Sequence, residues 1–133
     1  MTKCAIDTNV LVYLLDLNDS KKHKISKEIL VNVPIISTQV VVEFLYVAKR
    51  ILSKPKDEVL LKCREWLSFG EIITLDMNTL EIAIRLIQKY DFQLFDSIIV
   101  ASALEAGCVT LYTEDMQHGL VVEKKLKIVN PFL

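Results

Sequence analysis

Short apolar runs alternate along this chain with longer segments of helical period. Residues 3–6 read as a strand. Thr8 to Leu15 follows as a short helix that Thr8 or Asn9 can cap, in competition with Asp7, whose plain structural role is also a helix cap. Residues 20–31 place Ile25, Ile29 and Leu30 on one helical side, and Pro34 ends that run. Ile35, Ile36 and Ser37 form a second strand. Ser37 or Thr38 then caps an apolar helix over 39–52. Pro55 suits the start of the next helix, which runs to about Phe69 and stops at Gly70. Residues 72–75 read as a third strand, 78–90 as an amphipathic helix and 91–95 as a loop. Residues 97–106 form a helix ended by Gly107, residues 108–112 a fourth strand and 127–129 a fifth. Strands alternating with helices predict an α/β fold around a mostly parallel five-stranded sheet, covered on both faces and joined by right-handed crossovers. With no repeat, low-complexity tract or linker, residues 1–133 read as one domain.

Composition supports a packed core. Hydrophobic residues make up 52% of the 133 and charged residues 25%, which excludes disorder. The mean hydropathy of +0.36 suggests a thoroughly buried sheet and a face left for a homodimer. Charges interrupt every run that could span a membrane. A single lysine precedes the first apolar run, which meets Asp7 and Asp16 too soon for a signal peptide, so a cytoplasmic location is expected. Cys4, Cys63 and Cys108 have neither metal-ligand nor redox spacing. The formal net charge of −1 gives no global sign of a polyanion binder. Basic residues do collect at Lys21, Lys22, His23, Lys24 and Lys27, at Lys49, Arg50, Lys54 and Lys56, and at Lys124, Lys125 and Lys127. Each cluster reads either as a solvated face or as a set of phosphate contacts.

Four acids change the picture: Asp7, Glu43, Asp96 and Asp115. Asp7 and Asp115 follow strands, and an open parallel sheet binds ligands outside the carboxyl ends of its strands. Glu43 interrupts a helix that is apolar on nearly every side, where a carboxylate without a partner is costly. No cation lies three or four residues from it, so it needs a distant ion pair, a metal or a wet cleft. Asp96 stands before an apolar helix, where an N-cap is the plain structural role, and Asp115 could be a turn aspartate. Thr113 alternates with Asp115, so hydroxyl and carboxylate can point the same way. Gathered carboxylates repel one another and take up protons or divalent metal. Oxygen donors suit Mg²⁺, which could activate water and neutralise a phosphoryl oxygen. Zinc is disfavoured, because His23 and His118 lack ligand spacing.

The runs Asp7-Thr8-Asn9, Val41-Val42-Glu43-Phe44, Asp96 to Ala103, Leu111 to Asp115 and Ile128 to Phe132 together resemble the PIN domain, and more narrowly the VapC-type toxin ribonucleases of type II toxin–antitoxin systems. The resemblance covers essentially the whole chain. It implies a three-layer α/β/α fold, Mg²⁺- or Mn²⁺-dependent cleavage of RNA, and Asp7, Glu43, Asp96 and Asp115 as catalytic, metal-binding acids. It makes Thr113 and Asn9 supporting residues, and it implies a homodimer and inhibition by a small antitoxin protein whose tail enters the cleft. Glu114 adds a fifth acid that could also face the site.

Two rival classes remain open at this point. One is an aspartyl-phosphate phosphotransferase, for which Asp7 is well placed but Asn9 stands where a second aspartate is usual. The other is a non-catalytic RNA-binding or protein-interaction module.

Overall fold

A computed structural model describes residues 3–133. Strand β1 (Cys4–Ile6) runs into α1 (Thr8–Leu15), and α2 (Ser20–Leu30) leads to β2 (Ile35–Ser37). Helices α3 (Thr38–Leu52) and α4 (Lys56–Leu67) precede β3 (Glu71–Ile73). Helices α5 (Met77–Tyr90) and α6 (Leu94–Glu105) precede β4 (Thr110–Tyr112). The chain closes on β5 (Val121–Val122) and β6 (Leu126–Val129). The sheet order is β3-β2-β1-β4-β6-β5, and every pairing is parallel except β5 with β6.

That order places the helices. The chain steps outward from β1 to β2 to β3, so right-handed crossovers put α1 to α4 on one face. It then returns across the sheet to β4, and the same handedness sends α5 and α6 to the other face. The contacts agree: α1 packs on α2 and α3, α3 on α4, and α5 on α6. Covered on both sides, β1 and β2 are buried along their whole length. Between the layers Leu11, Phe44, Leu86, Leu111 and Ile128 lie fully buried. Each contributes about 1.5–3 kcal/mol of transfer free energy. Helix α6 is buried from Ser97 through Ala103, as expected of a helix that is apolar all round. At the turn into β3, a side chain on Gly70 would put its Cβ 2.4 Å from Ile36 Cδ1.

Four expectations are corrected. The sheet has six strands, not five. The extra one, β5, is two residues long and gives no periodic signal. It pairs with β6 through a turn in which Glu123 and Lys124 have φ of 52° and 57°, and Lys125 N–H donates to Val122 C=O at 3.0 Å. Two positive φ values match the twist of the strands, but Asn-Gly is the usual sequence for it. Here the Glu123 carboxylate is held by Arg85 and Lys89, both at 2.9 Å, and its N–H donates to the Tyr90 hydroxyl. Second, α6 begins at Leu94, inside the expected loop, and its N-cap is Gln93, so Asp96 lies in the first turn and caps nothing. Leu94 and Phe95 are exposed, so that first turn carries no apolar period to read. Third, of the competing caps of α1 it is Asp7, not Thr8 or Asn9, that takes the role. Fourth, α3 is not apolar-buried on nearly every side: Val40, Phe44 and Ala48 are buried, while Val42, Tyr46 and Ile51 face out.

Candidate functional site

The strand order reverses between β1 and β4. This is the switch point where parallel α/β sheets leave a crevice at their carboxyl ends. Asp7 leaves β1 there, and Thr113 to Asp115 leave β4. The Asp7 N–H donates to the Tyr112 carbonyl at 3.0 Å, which ties the two strand ends together. Asp7 is 5% exposed. Its Oδ1 accepts from the Thr8 N–H at 2.7 Å, and its Oδ2 accepts from the Thr113 hydroxyl at 2.8 Å. The capping role and a role in the crevice therefore use different oxygens of one carboxylate.

Thr113 is fully buried and acts as the hub. Its hydroxyl donates to Asp7 and accepts from the Asp115 N–H at 3.2 Å and from Asn9 Nδ2 at 3.4 Å. The same Asn9 amide donates to Asp115 Oδ2 at 3.1 Å. Asp7, Asn9, Thr113 and Asp115 thus form one hydrogen-bonded unit across the switch point. Glu43 joins through neighbours that the sequence reading had not assigned to the site. The Thr8 hydroxyl donates to its Oε2 at 2.7 Å, and Gln39 Nε2 donates to its Oε1 at 3.0 Å. Gln39 also reaches the Phe95 carbonyl at 3.3 Å, which links α3 to the first turn of α6 beside Asp96. Both residues carried a signal, since Gln39 lies one helical turn before Glu43 and Thr8 follows Asp7 directly.

The charges register one another. Burial pushes the Asp7 carboxyl up to about 6, hydrogen bonds from Thr113 and Thr8 pull the other way, and the charges of Asp115 and Glu43 add to the rise. Burial also raises Asp96, followed by the charges of Asp115 and Glu43. Among the described residues, none of the four acids pairs with Lys or Arg. The distant ion pair considered for Glu43 is therefore not there.

Glu114 is accounted for elsewhere. It accepts from the Tyr13 hydroxyl at 2.6 Å and pairs with Lys22 at 3.3 Å. Lys22 also lies 4.7 Å from the Tyr13 ring centroid. One lysine of the first basic cluster is thereby spent on the protein itself. The second cluster supplies Lys49, Lys54 and Lys56 to a groove of about 730 Å³ between α3 and α4, whose lining includes none of the four acids. The histidines are structural: His23 Nδ1 lies 3.0 Å from the Tyr13 carbonyl, and His118 Nδ1 accepts from the Asn130 N–H.

The donor set fits a hard divalent cation. Every candidate ligand is an oxygen, the charges of Glu43 and Asp115 add to the raised proton affinity of Asp7 and Asp96, and among the described residues no cationic side chain pairs with the four acids. The buried oxygens Asn9 Oδ1 and Gln39 Oε1, on the two amides that bond the acids, have no hydrogen-bond partner. Among the described residues no three acidic, histidine or cysteine side chains close in as a ready cage. Mg²⁺ does not require one, because it usually takes one or two carboxylates and keeps several waters.

Comparison with known proteins gives the fold its relatives. A family model described as PIN domain matches residues 4–121. A chain of a toxin–antitoxin complex from Klebsiella pneumoniae superposes with a TM-score of 0.74 at 25% identity, covering 98% of each chain. FitAcB from Neisseria gonorrhoeae gives 0.72 at 18% identity, covering 97% of this chain and 98% of that one. VapC20 from Mycobacterium tuberculosis, described as a sarcin-ricin loop cleaving toxin, gives 0.66 at 15% identity over 85% and 92%. The search of curated proteins returns no match.

Proposed function

The chain belongs to the PIN domain family, and from that premise we propose that it is a Mg²⁺- or Mn²⁺-dependent endoribonuclease, the toxin of a VapBC-type pair. The observation that carries the reading is the joining of Asp7 and Asp115 through Thr113 and Asn9, with Glu43 and Asp96 close enough to raise or share the negative potential. One or two of Asp7, Glu43, Asp96 and Asp115 would hold the ion directly, and the others would act through its bound waters. When bound, it would neutralise the phosphoryl oxygens and ease ionisation of the attacking water.

The chain's own residues do the rest. Thr113 and the Thr8 N–H fix the Asp7 carboxylate before substrate arrives, so no reorganisation is needed at that point. Asn9 orients Asp115, and Gln39 with Thr8 orients Glu43. Asp96, half-buried and raised, makes no capping bond and is free to accept the proton of a water in the crevice. An aspartyl-phosphate mechanism fits less well, since Asn9 stands where a second aspartate is usual and its amide is bonded to Thr113 and Asp115.

The Klebsiella pneumoniae neighbour is a toxin–antitoxin complex, which supports a small antitoxin protein as partner. The exposed apolar residues Val42, Tyr46, Leu94 and Phe95 leave room for protein or RNA contacts, and a homodimer and a cytoplasmic location belong to the same proposal. The test is cleavage of RNA by the purified chain with added Mg²⁺ or Mn²⁺, compared with Asp7→Asn. Loss of cutting in a variant that keeps its circular dichroism supports the reading, and full activity in that variant overturns it.

A further inference from the structure

Helix α1 takes hold of two consecutive carboxylates at the exit of β4. Asn9 and Tyr13 stand four residues apart, so they share one side of the helix. Asn9 Nδ2 donates to Asp115 Oδ2 at 3.1 Å, and the Tyr13 hydroxyl donates to Glu114 Oε1 at 2.6 Å. Between these two contacts the Asp115 N–H closes the turn on the Thr113 hydroxyl, which in turn donates to Asp7. The turn is therefore tied to α1 at successive residues, once inside the crevice and once outside it.

The outer tie is itself restrained. Lys22 Nζ reaches both the Tyr13 hydroxyl at 3.0 Å and Glu114 Oε2 at 3.3 Å, with both charged side chains partly buried. The lysine backbone is set at the head of α2, where its N–H donates to Asp19 Oδ1 at 3.1 Å. Tyr13 is held on two further sides. Its ring meets Phe132 edge-on with centroids 5.0 Å apart, and His23 Nδ1 lies 3.0 Å from its carbonyl. A lysine that only balanced a surface charge would need none of these restraints. The reason for them is the charge next door. Without a cation, Glu114 and Asp115 would repel each other and drive the turn away from the crevice. Lys22 offsets that repulsion on the side facing away from Asp7. Resting on the nuclease reading above, we propose that Lys22 is a positioning residue, which through Glu114 and Tyr13 holds the Thr113–Asp115 turn so that the Asp115 carboxylate is presented to the divalent ion.

The alternative role has the opposite sign. As a bare positive charge near the acids, Lys22 would oppose cation binding, and its removal would tighten it. As a positioning residue, its removal should weaken binding by about tenfold, the low end of what losing an outer partner of a metal ligand costs. The test uses the full chain and Mn²⁺ alone, with the free ion counted by electron paramagnetic resonance. Lys22→Met should bind Mn²⁺ about tenfold more weakly, and Lys22→Arg should restore the wild-type value. In a Glu114→Gln background, Lys22→Met should change the affinity by less than about twofold, because a neutral amide leaves no repulsion to offset. A second readout needs no metal. Exchange of the Asp115 amide hydrogen in EDTA, followed by nuclear magnetic resonance, should be faster in Lys22→Met and normal in Lys22→Arg. Tyr13→Phe, which strips one hydroxyl from the same tie, should move both readouts in the same direction and serves if Lys22→Met folds poorly. Wild-type chain that binds Mn²⁺ while Lys22→Met binds it equally well or more tightly would overturn the proposal and leave the nuclease reading intact. A lower melting temperature in Lys22→Met, with Mn²⁺ affinity and Asp115 exchange both unchanged, would overturn it in favour of a purely structural tie. A wild-type chain that binds no Mn²⁺ removes both readings together.

Discussion

Replacing Asp7 with asparagine should stabilise the metal-free fold while removing its activity. The folded carboxyl lies at about 6 against an ordinary 3.8, chiefly because it is buried. That is roughly a hundredfold in proton affinity, or about 3 kcal/mol. A raised acid stabilises the fold when protonated, so this contribution is fully present below 3.8 and is lost as pH rises through about 6. At pH 8 the wild-type chain therefore carries the whole cost of a buried, repelled carboxylate. Asparagine carries no charge, but its amide can replace only one of the two accepting oxygens. Either the Thr8 N–H or the Thr113 hydroxyl loses its partner, at about 1–3 kcal/mol. The net expectation is a gain of up to about 2 kcal/mol at pH 8. Below pH 4 the gain disappears and the variant becomes slightly the weaker of the two. Urea melts of both proteins in EDTA at several pH values read this directly through the midpoint at constant slope. Added Mg²⁺ should then stabilise wild type and not the variant, because only a folded site binds it. A variant less stable than wild type at pH 8, or a difference that does not change with pH, would refute the reasoning.

Asp96→Asn should not lower the melting temperature, since Gln93 and not Asp96 caps α6, and its own raised carboxyl predicts a small gain above its folded pKa. A fall of several degrees in calorimetry would contradict that. Thr113→Val keeps the shape but strips the hub of its hydroxyl, leaving Asp7 Oδ2 and the Asp115 N–H without a partner. It should cost about 1–3 kcal/mol in urea melts and lower RNA cleavage by at least tenfold. Gly70→Ala should destabilise by about 1–3 kcal/mol without touching the site, because its Cβ would meet the Ile36 side chain and sit 2.9 Å from the Pro34 carbonyl. Unchanged stability in that variant would mean that the β2–β3 edge yields more easily than its packing implies.

The sequence by itself determined the alternation of strands and helices, the spans of α1 and α3 to within a residue, and the list of acids. These are local facts: apolar period, proline and glycine stops, and a carboxylate standing among hydrophobic neighbours. It also carried Thr113 beside Asp115, because alternate residues leaving a strand share a face. Only the tertiary structure decided who meets whom. The reversal of strand order between β1 and β4 makes Asp7 and Asp115 neighbours, although more than a hundred residues separate them. That closure turns Asn9 into a link between strand ends, Gln39 and Thr8 into the holders of Glu43, and Lys22 with Tyr13 into the pair that engages Glu114. The β5 strand and the start of α6 were unreadable for the same reason. Two residues in a hairpin and one exposed helical turn bury too little apolar surface to leave a period, and their shape is imposed by the partners they pack against.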